Sequence, residues 1–277
     1  MTATAPILAY RDYLVRRDGA PDIYRLTLAR REAFFDELAR KRVRSEAGID
    51  RETFLRNVVR RRPEPGLDAR MLWLLASAKA NQAERFAIEL GHLYARHSLE
   101  HKDPENVHVV LQEGYHTRIL ADVCAIFDLP VPRRPPRAAA GILIHFLVFN
   151  PFPERWVLPL VGASEMMGCV IFRLLRERSV ELFADEPAVA RQIGTLYDEI
   201  LADEIGHVGL VAARLGPRGR RLAHWLFQGI WRGLSATAPE FELAIGRDRM
   251  RRAFAEPFDV EAYAAELPEL AFAAAPI

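Results

Sequence analysis

Glu113-Gly-Tyr-His116 and Glu204-Ile-Gly-His207 are the two stretches that decide the fold of this chain. Each places a glutamate and a histidine three residues apart, so both side chains leave the same face of a helix. Each pair lies in the middle of a predicted helix, among apolar neighbours. Together they predict two helices whose inward faces carry ligands for metal ions.

Two further predicted helices contribute one inward glutamate each. In the first, polar residues recur at spacings of three and four and leave Glu84 on the opposite, apolar face. In the third, Glu165 lies between Val161 and Cys169 on one apolar face. Four carboxylates and two histidines without a thiolate suit iron or manganese better than a structural zinc site. Because burying so many unpaired carboxylates would be costly, the set predicts a two-metal centre.

The Glu-x-x-His spacing occurs twice more, and both of these pairs are predicted to lie on the surface. Glu89 and His92 fall in the polar stripe of the first predicted helix. Glu105 and His108 fall in the first turns of the second helix, close to a loop. The spacing alone therefore does not identify the ligand pairs. The two pairs that lie among apolar residues are the predicted ligands.

Proline and glycine residues mark the ends of the predicted helices. Pro63-Glu-Pro65-Gly66 breaks the chain, Asp103-Pro104 is a strong helix start, and Gly216-Pro217 is a strong stop. No segment shows the alternation typical of strands. The order of two helices, a long crossover and two more helices predicts an all-α protein, a ferritin-like four-helix bundle with additional N- and C-terminal helices.

The prediction divides the chain into three parts of one integrated domain. An N-terminal helical extension covers residues 1–66, the di-metal bundle 67–217, and a C-terminal helical extension 218–277. Residues 1–23 are expected to be irregular, and residues 24–61 to form one or two amphipathic helices.

Composition narrows the classes of function. The net charge of the 277 residues is +1, which argues against a nucleic-acid binder. Cys124 and Cys169 lie in apolar helical stretches and imply no disulfide framework, which fits a cytoplasmic location. We expect no membrane span, because the apolar run at 138–152 is too short and the run at 156–172 carries Glu165 at its centre.

Three residues are candidates for supporting the metal ligands. Asp203 directly precedes Glu204, where its carboxylate could accept the outer N–H of a ligand histidine, although a solvated aspartate fits equally well. Tyr115 and Tyr197 could present a hydroxyl to the centre, although as amphipathic core residues they need no such role.

These residues resemble the ferritin-like non-heme di-iron carboxylate oxygenases and oxidases, which include p-aminobenzoate N-oxygenases and aldehyde-deformylating oxygenases. The resemblance covers about residues 67–217 and implies that Glu84, Glu113 and His116 serve one half of the site. Glu165, Glu204 and His207 would serve the other half. N-oxygenases of the p-aminobenzoate type carry an extra histidine ligand where this chain has Ile200, so that seven-ligand site is not expected.

The resemblance implies a dioxygen-activating monooxygenase or oxidase with two iron ions, although manganese also suits the ligands. It would hydroxylate, N-oxygenate or desaturate a small, largely apolar organic substrate, with an external electron donor such as a ferredoxin and its reductase. A homodimer is one candidate assembly. Three alternatives stay open, namely a ferroxidase or iron-storage protein, a manganese catalase, and a metal-free helical binding protein.

Overall fold

The structure, a computed structural model, describes residues 5–19, 29–97, 104–133 and 154–267. These ranges contain eleven helices and no strand, so the prediction of an all-α protein is confirmed. The helices are α1 (Ala5–Asp18), α2 (Ala29–Arg40), α3 (Arg51–Val58), α4 (Ala69–His97), α5 (Pro104–Ala125), α6 (Glu154–Leu182), α7 (Pro187–Arg214), α8 (Pro217–Thr237), α9 (Pro239–Ile245), α10 (Arg247–Ala255) and α11 (Val260–Glu266).

Local chemistry explains several helix boundaries. The Asp68 carboxylate accepts a hydrogen bond from the Met71 amide in the first turn of α4, and Asp259 accepts two such bonds in α11. A capping carboxylate satisfies amides that have no partner within the helix. Prolines begin α5, α7, α8 and α9, where the missing N–H costs nothing. Gly246, with φ of 100°, makes the turn between α9 and α10 in a backbone region that favours glycine.

The four helices α4 to α7 pack side by side around the core. α4 contacts α5, α5 contacts α7, α7 contacts α6 most extensively, and α6 completes the ring against α4. The helices outside this group pack onto it: α1 against α7, α8 against α6, and α9 against α4. One hydrophobic cluster runs through all three predicted parts of the chain, because it includes Phe54, Trp73 and Phe227.

The predicted start at Asp103-Pro104 and the predicted stop at Gly216-Pro217 agree with α5, which begins at Pro104, and with α7, which ends at Arg214. Pro159 lies inside α6. The predicted crossover is described only to residue 133, and its apolar segment at 138–152 lies outside the described residues.

The expectation that residues 1–23 are irregular is wrong for residues 5–18, which form α1. This helix carries no strong apolar stripe, so the helical period is not visible in its sequence. It is buried instead through Tyr10 and Tyr13, and through the charged side chains of Arg17 and Asp18. Ion pairs with distant residues therefore fix a helix that the hydrophobic pattern does not reveal.

One described segment, Val157–Leu182 of α6, is long and apolar enough to cross a membrane by length and composition alone. Half of its most apolar window is buried against other helices of the protein, and the segment carries Glu165. Packing against α7 and α8 accounts for its apolar character.

Trp73 is the largest fully buried side chain among the described residues, and its loss should strongly destabilise the fold. Its indole N–H donates to the Leu175 carbonyl at 2.8 Å, and its ring packs edge-on against Phe183 and Tyr197. We expect Trp73→Ala to lower the free energy of unfolding by about 3–5 kcal/mol in urea titrations of the metal-free protein. Trp225→Ala is the matched control, because that ring is 69% exposed, and its effect should stay within about 0.5 kcal/mol. Equal effects of the two substitutions would contradict this description of the core.

Candidate metal centre

The structure brings all six predicted ligands to one place. They come from four helices: Glu84 from α4, Glu113 and His116 from α5, Glu165 from α6, and Glu204 and His207 from α7. They form two overlapping groups, and the candidate ligand atoms within each group lie within 4.8 Å of one another. The first group contains Glu84 and His116, the second contains Glu165 and His207, and both contain Glu113 and Glu204. The two groups thus share two carboxylates.

Both histidines direct the same ring nitrogen into the cluster. His116 Nδ1 lies 3.3 Å from Glu204 Oε1, 3.4 Å from Glu113 Oε2 and 3.8 Å from Glu84 Oε2. His207 Nδ1 lies 3.2 Å from Glu113 Oε1 and 3.3 Å from Glu165 Oε2. The ring centroids are 5.8 Å apart. Each histidine therefore faces the glutamate of the other Glu-x-x-His pair as well as one lone glutamate.

In the described part of the chain, only histidines offer a positive charge to the four glutamates of this cluster. Among the described residues, the four glutamates form ion pairs with His116 and His207 and with no arginine or lysine. The buried His116 Nδ1 atom has no hydrogen-bond partner. Concentrated carboxylates around an unpartnered imidazole nitrogen are the arrangement that divalent cations occupy in proteins. The donor set thus fits two metal ions with oxygen and nitrogen ligands.

The outer nitrogen of each histidine is held by a different residue. His116 Nε2 lies 3.1 Å from Asp203 Oδ2, and His207 Nε2 lies 3.0 Å from Gln112 Oε1. Gln112 Nε2 also donates to Asp203 Oδ1 at 2.8 Å. An ionised carboxylate can only accept hydrogen bonds. The amide nitrogen of Gln112 therefore faces Asp203, and the amide oxygen faces His207. Both histidines therefore carry a proton on Nε2, and Nδ1 is the nitrogen that faces the cluster and could bind a metal ion in place of a proton.

Asp203 thus contacts a candidate ligand histidine, as one of its two interpretations from the sequence predicts. The role of Gln112 in holding the other histidine was not predicted from the sequence. A signal for it exists in the chain. Gln112 and Asp203 each stand directly before the glutamate of a Glu-x-x-His pair, and each holds the histidine of the other helix. The two motifs are therefore Gln-Glu-x-x-His and Asp-Glu-x-x-His, related by approximate symmetry.

Without metal, this cluster would hold protons. Burial raises the pKa of Glu84 well above its ordinary value and that of Glu204 to about 8, and neighbouring carboxylates act in the same direction. Burial alone would lower the pKa of His116, but its hydrogen bond to Asp203 and the charge of Glu113 raise it well above 6.5. The pKa of His207 is also raised, because Glu113 and Glu165 outweigh its burial. Metal ions would have to displace these protons.

One glycine makes room for the cluster. A Cβ atom at Gly168 of α6 would lie 3.0 Å from Glu204 Cδ and closer still to its Oε2 atom. Cβ atoms essentially never approach another atom as closely as the Oε2 contact would require, so a side chain at this position would displace the carboxylate. The close approach of α6 and α7 at Gly168 therefore allows Glu204 to occupy its position in both ligand groups.

The structure directs the two candidate tyrosines elsewhere. The Tyr115 hydroxyl donates to Glu32 Oε1 at 2.8 Å, and its ring stacks on Phe35. The Tyr197 hydroxyl lies 2.9 Å from Ser77 Oγ. Neither hydroxyl is bonded to a cluster ligand among the described residues, so the core interpretation fits both better.

The prediction that Glu105 and His108 lie on the surface is wrong. Both are almost fully buried, because α1 covers the first turns of α5. Glu105 pairs with Arg11, and His108 Nε2 lies 3.2 Å from Asp18 Oδ2. The partners lie about 90 residues away in sequence, so local periodicity could not reveal them. The side chains of Glu89 and His92 lie outside the described residues.

Comparisons of the chain with protein-family models, with curated proteins and with solved structures give no match. Function is therefore inferred from the cluster itself.

Gly168→Ala should lower the metal content of the protein, because the added methyl group displaces the Glu204 carboxylate. We expect less than half of the wild-type content by elemental analysis after expression in iron-replete medium. Gly194→Ala in α7 is the control, because a Cβ there meets nothing within 4 Å. Alanine favours a helix by up to about 1 kcal/mol over glycine, so this control should keep its metal and its stability. Full metal content in Gly168→Ala would contradict the close approach described above.

The stability of the metal-free protein should fall as pH rises. Glu204 and the two histidines have folded pKa values above their ordinary values of 4.5 and 6.5, so the folded state binds more protons than the unfolded state. Their contribution is complete below the ordinary pKa values and is lost as pH rises through the folded values, which for Glu204 is about 8. The pKa of Glu113 is lowered, so its contribution to stability is lost as pH falls, and this happens only below 4.5.

We expect the Tm of the metal-free protein to decrease between pH 6.5 and about 8, as measured by circular dichroism. The increase in Tm on adding Fe(II) anaerobically should grow over the same window, because the ligands lose their competing protons. A metal-free Tm that rises with pH across this window would be inconsistent with the proton-holding cluster.

Proposed function

We propose that this protein is a ferritin-like, non-heme di-iron oxygenase or oxidase that activates dioxygen to oxidise a small, largely apolar organic molecule. The observation that carries the proposal is the pair of overlapping ligand groups that share Glu113 and Glu204. Shared carboxylates between two histidine-containing groups suit two metal ions held close together. The resemblance noted from the sequence supports iron as the metal.

The roles of the chain's own residues follow from their positions. Glu84 and His116 would help to hold one ion and Glu165 and His207 the other, while Glu113 and Glu204 belong to both ligand groups. Asp203 and Gln112 would keep the Nδ1 atoms of the histidines free for binding. When bound, two iron ions supply the electrons and the binding position for dioxygen.

Exposure of the ligands indicates the side from which small molecules arrive. The histidines and Glu204 are almost completely buried, whereas the Glu84, Glu113 and Glu165 side chains retain 12–15% exposure. α1 and α2 cover the histidine side through contacts with α7. Dioxygen and substrate would therefore approach from the side of Glu84 and Glu165.

The overall chemistry requires partners that the chain does not supply. Hydroxylation of a C–H bond by one dioxygen consumes two electrons and two protons and releases one water. We propose a small external electron carrier, such as a ferredoxin with its reductase, in the cytoplasm. Ile200 is fully buried among apolar residues, which supports a site without the additional histidine of p-aminobenzoate N-oxygenases.

Metal analysis and dioxygen uptake test this proposal together. Protein loaded with Fe(II) without oxygen should contain two equivalents of iron and consume dioxygen on mixing with aerated buffer. Glu113→Ala and His207→Ala should each lose iron and dioxygen uptake, because each removes a ligand from the cluster. His224→Ala is the matched control, because that histidine lies on α8 against Gln228, away from the cluster. Full iron content in either ligand variant would disprove the ligand assignment.

The alternatives have distinct signatures in the same preparations. A ferroxidase or storage protein would oxidise excess Fe(II) and assemble into a large hollow shell visible by electron microscopy. A manganese catalase would disproportionate peroxide rapidly in its manganese form. Wild-type protein that binds neither metal would leave only a helical binding protein.

A further inference from the structure

Asp203 connects both ligand histidines to the N-terminal helices. Its carboxylate accepts from His116 Nε2 directly, and from Gln112, which in turn holds His207. The same carboxylate accepts from Arg17 Nη1 at 2.5 Å and from Arg31 Nη2 at 2.7 and 2.9 Å. One buried side chain therefore holds two histidines on one side and two arginines on the other.

The two arginines come from the segment before the four-helix group. Arg17 lies in the last turn of α1 and Arg31 in the first turn of α2, and their side chains are 3% and 0% exposed. Both also approach Glu199, which lies one turn before Asp203 on α7. Burying two guanidinium groups is tolerated only where carboxylates pair with them. These arginines are therefore placed to hold Asp203 rather than to interact with solvent.

The geometry of Asp203 depends on these contacts. Arg31 Nη2 reaches both carboxylate oxygens, which leaves Oδ2 directed at His116 and Oδ1 directed at Gln112. Because Arg31 Nη1 lies 3.0 Å from Glu199 Oε2, the planar guanidinium is itself held between two carboxylates, which a single point charge would not be. If the carboxylate rotated, both imidazole rings would lose their orientation.

Tyr10 adds a second contact between α1 and the histidine supports. Its hydroxyl lies 3.5 Å from Gln112 Oε1, the atom that accepts from His207. Its ring packs where a Cβ at Gly206 would meet Tyr10 Cε2 at 3.3 Å, so α1 lies directly on the ligand-bearing part of α7. The N-terminal helices thus contact the supports of both histidines.

We propose that Arg17 and Arg31 are positioning residues for the metal centre, and that docking of α1 and α2 is thermodynamically linked to metal binding. This inference rests on the proposed metal site and concerns neither the substrate nor the dioxygen reaction. If docked helices raise the metal affinity, bound metal must favour docking by the same factor. The N-terminal segment would then complete the centre rather than only extend the bundle.

Arg30 provides a matched comparison for Arg31. It is the neighbouring arginine of α2, and it forms a two-bond pair with Glu199 at 2.6 and 2.9 Å. Among the described contacts it has none with Asp203, and its side chain is 27% exposed. Substituting Arg30 therefore removes a charge and an ion pair from the same helix while leaving the Asp203 carboxylate held.

The first measurement compares Arg31→Met, Arg31→Lys and Arg30→Met with the wild-type protein. Co(II) affinity is measured by competition with a chromophoric chelator, and histidine ligation by the visible spectrum of bound Co(II). We expect Arg31→Met to weaken Co(II) affinity by about 10–100-fold and to alter the spectrum. Removing a residue that supports a metal-binding histidine typically has an effect of this size. Arg31→Lys should recover part of the affinity, and Arg30→Met should stay within about 2-fold with an unchanged spectrum.

The second measurement uses only the wild-type protein, so it is decisive even if Arg31→Met fails to fold. Hydrogen exchange is followed at residues 5–18 and 29–40 with and without Co(II), with α10 as the internal reference. Linkage predicts that metal slows exchange in α1 and α2 more than in α10.

Equal affinities and spectra of Arg31→Met and Arg30→Met would overturn the positioning role, as would equal protection of α1, α2 and α10. Two equivalents of bound metal with either of these results would leave the proposed metal site intact. Wild-type protein that binds no metal would instead remove the proposed function itself.

Discussion

Four glutamate side chains converge on two histidines in a largely buried cluster, and their mutual repulsion must be offset for the folded state to persist. In the metal-free protein, raised pKa values at Glu84, Glu204 and the histidines show how this happens, since protons take the place of cations. The packing of α6 against α7 also depends on the cluster, because a residue larger than Gly168 would collide with the Glu204 carboxylate. The helix arrangement and the cluster are therefore mutually dependent.

A second, separate group of charges lies behind the histidines. Arg17, Arg30 and Arg31 face Asp203 and Glu199, and these pairs are compensated within the protein. The arginines keep the pKa of Asp203 well below its ordinary range despite complete burial. The two groups differ in kind, because arginines compensate the carboxylates of one, whereas the glutamates of the other pair only with histidines among the described residues. This contrast distinguishes a structural ion-pair network from a candidate functional site.

The sequence predicted the parts of this arrangement that depend on local pattern. Proline and glycine signals located α4 to α7, and apolar faces identified Glu84 and Glu165 along with the two Glu-x-x-His pairs. The errors have one physical cause, since α1 is fixed by ion pairs to residues that lie far away in the chain. Without knowledge of α1, Glu105 and His108 looked exposed. Gln112 was missed because an amide carries no ligand signal, although its position matches that of Asp203.

The contacts of Asp203 with Arg17 and Arg31 span 186 and 172 residues of the chain. During synthesis, α1 and α2 emerge long before α7, so Arg17 and Arg31 cannot pair with Asp203 and Glu199 until α7 has been made. Contacts of such separation form late because closing the intervening loop is entropically expensive. These two helices thus leave the ribosome well before α7 but reach their final place only after it, and the surface they cover stays accessible in the nascent chain.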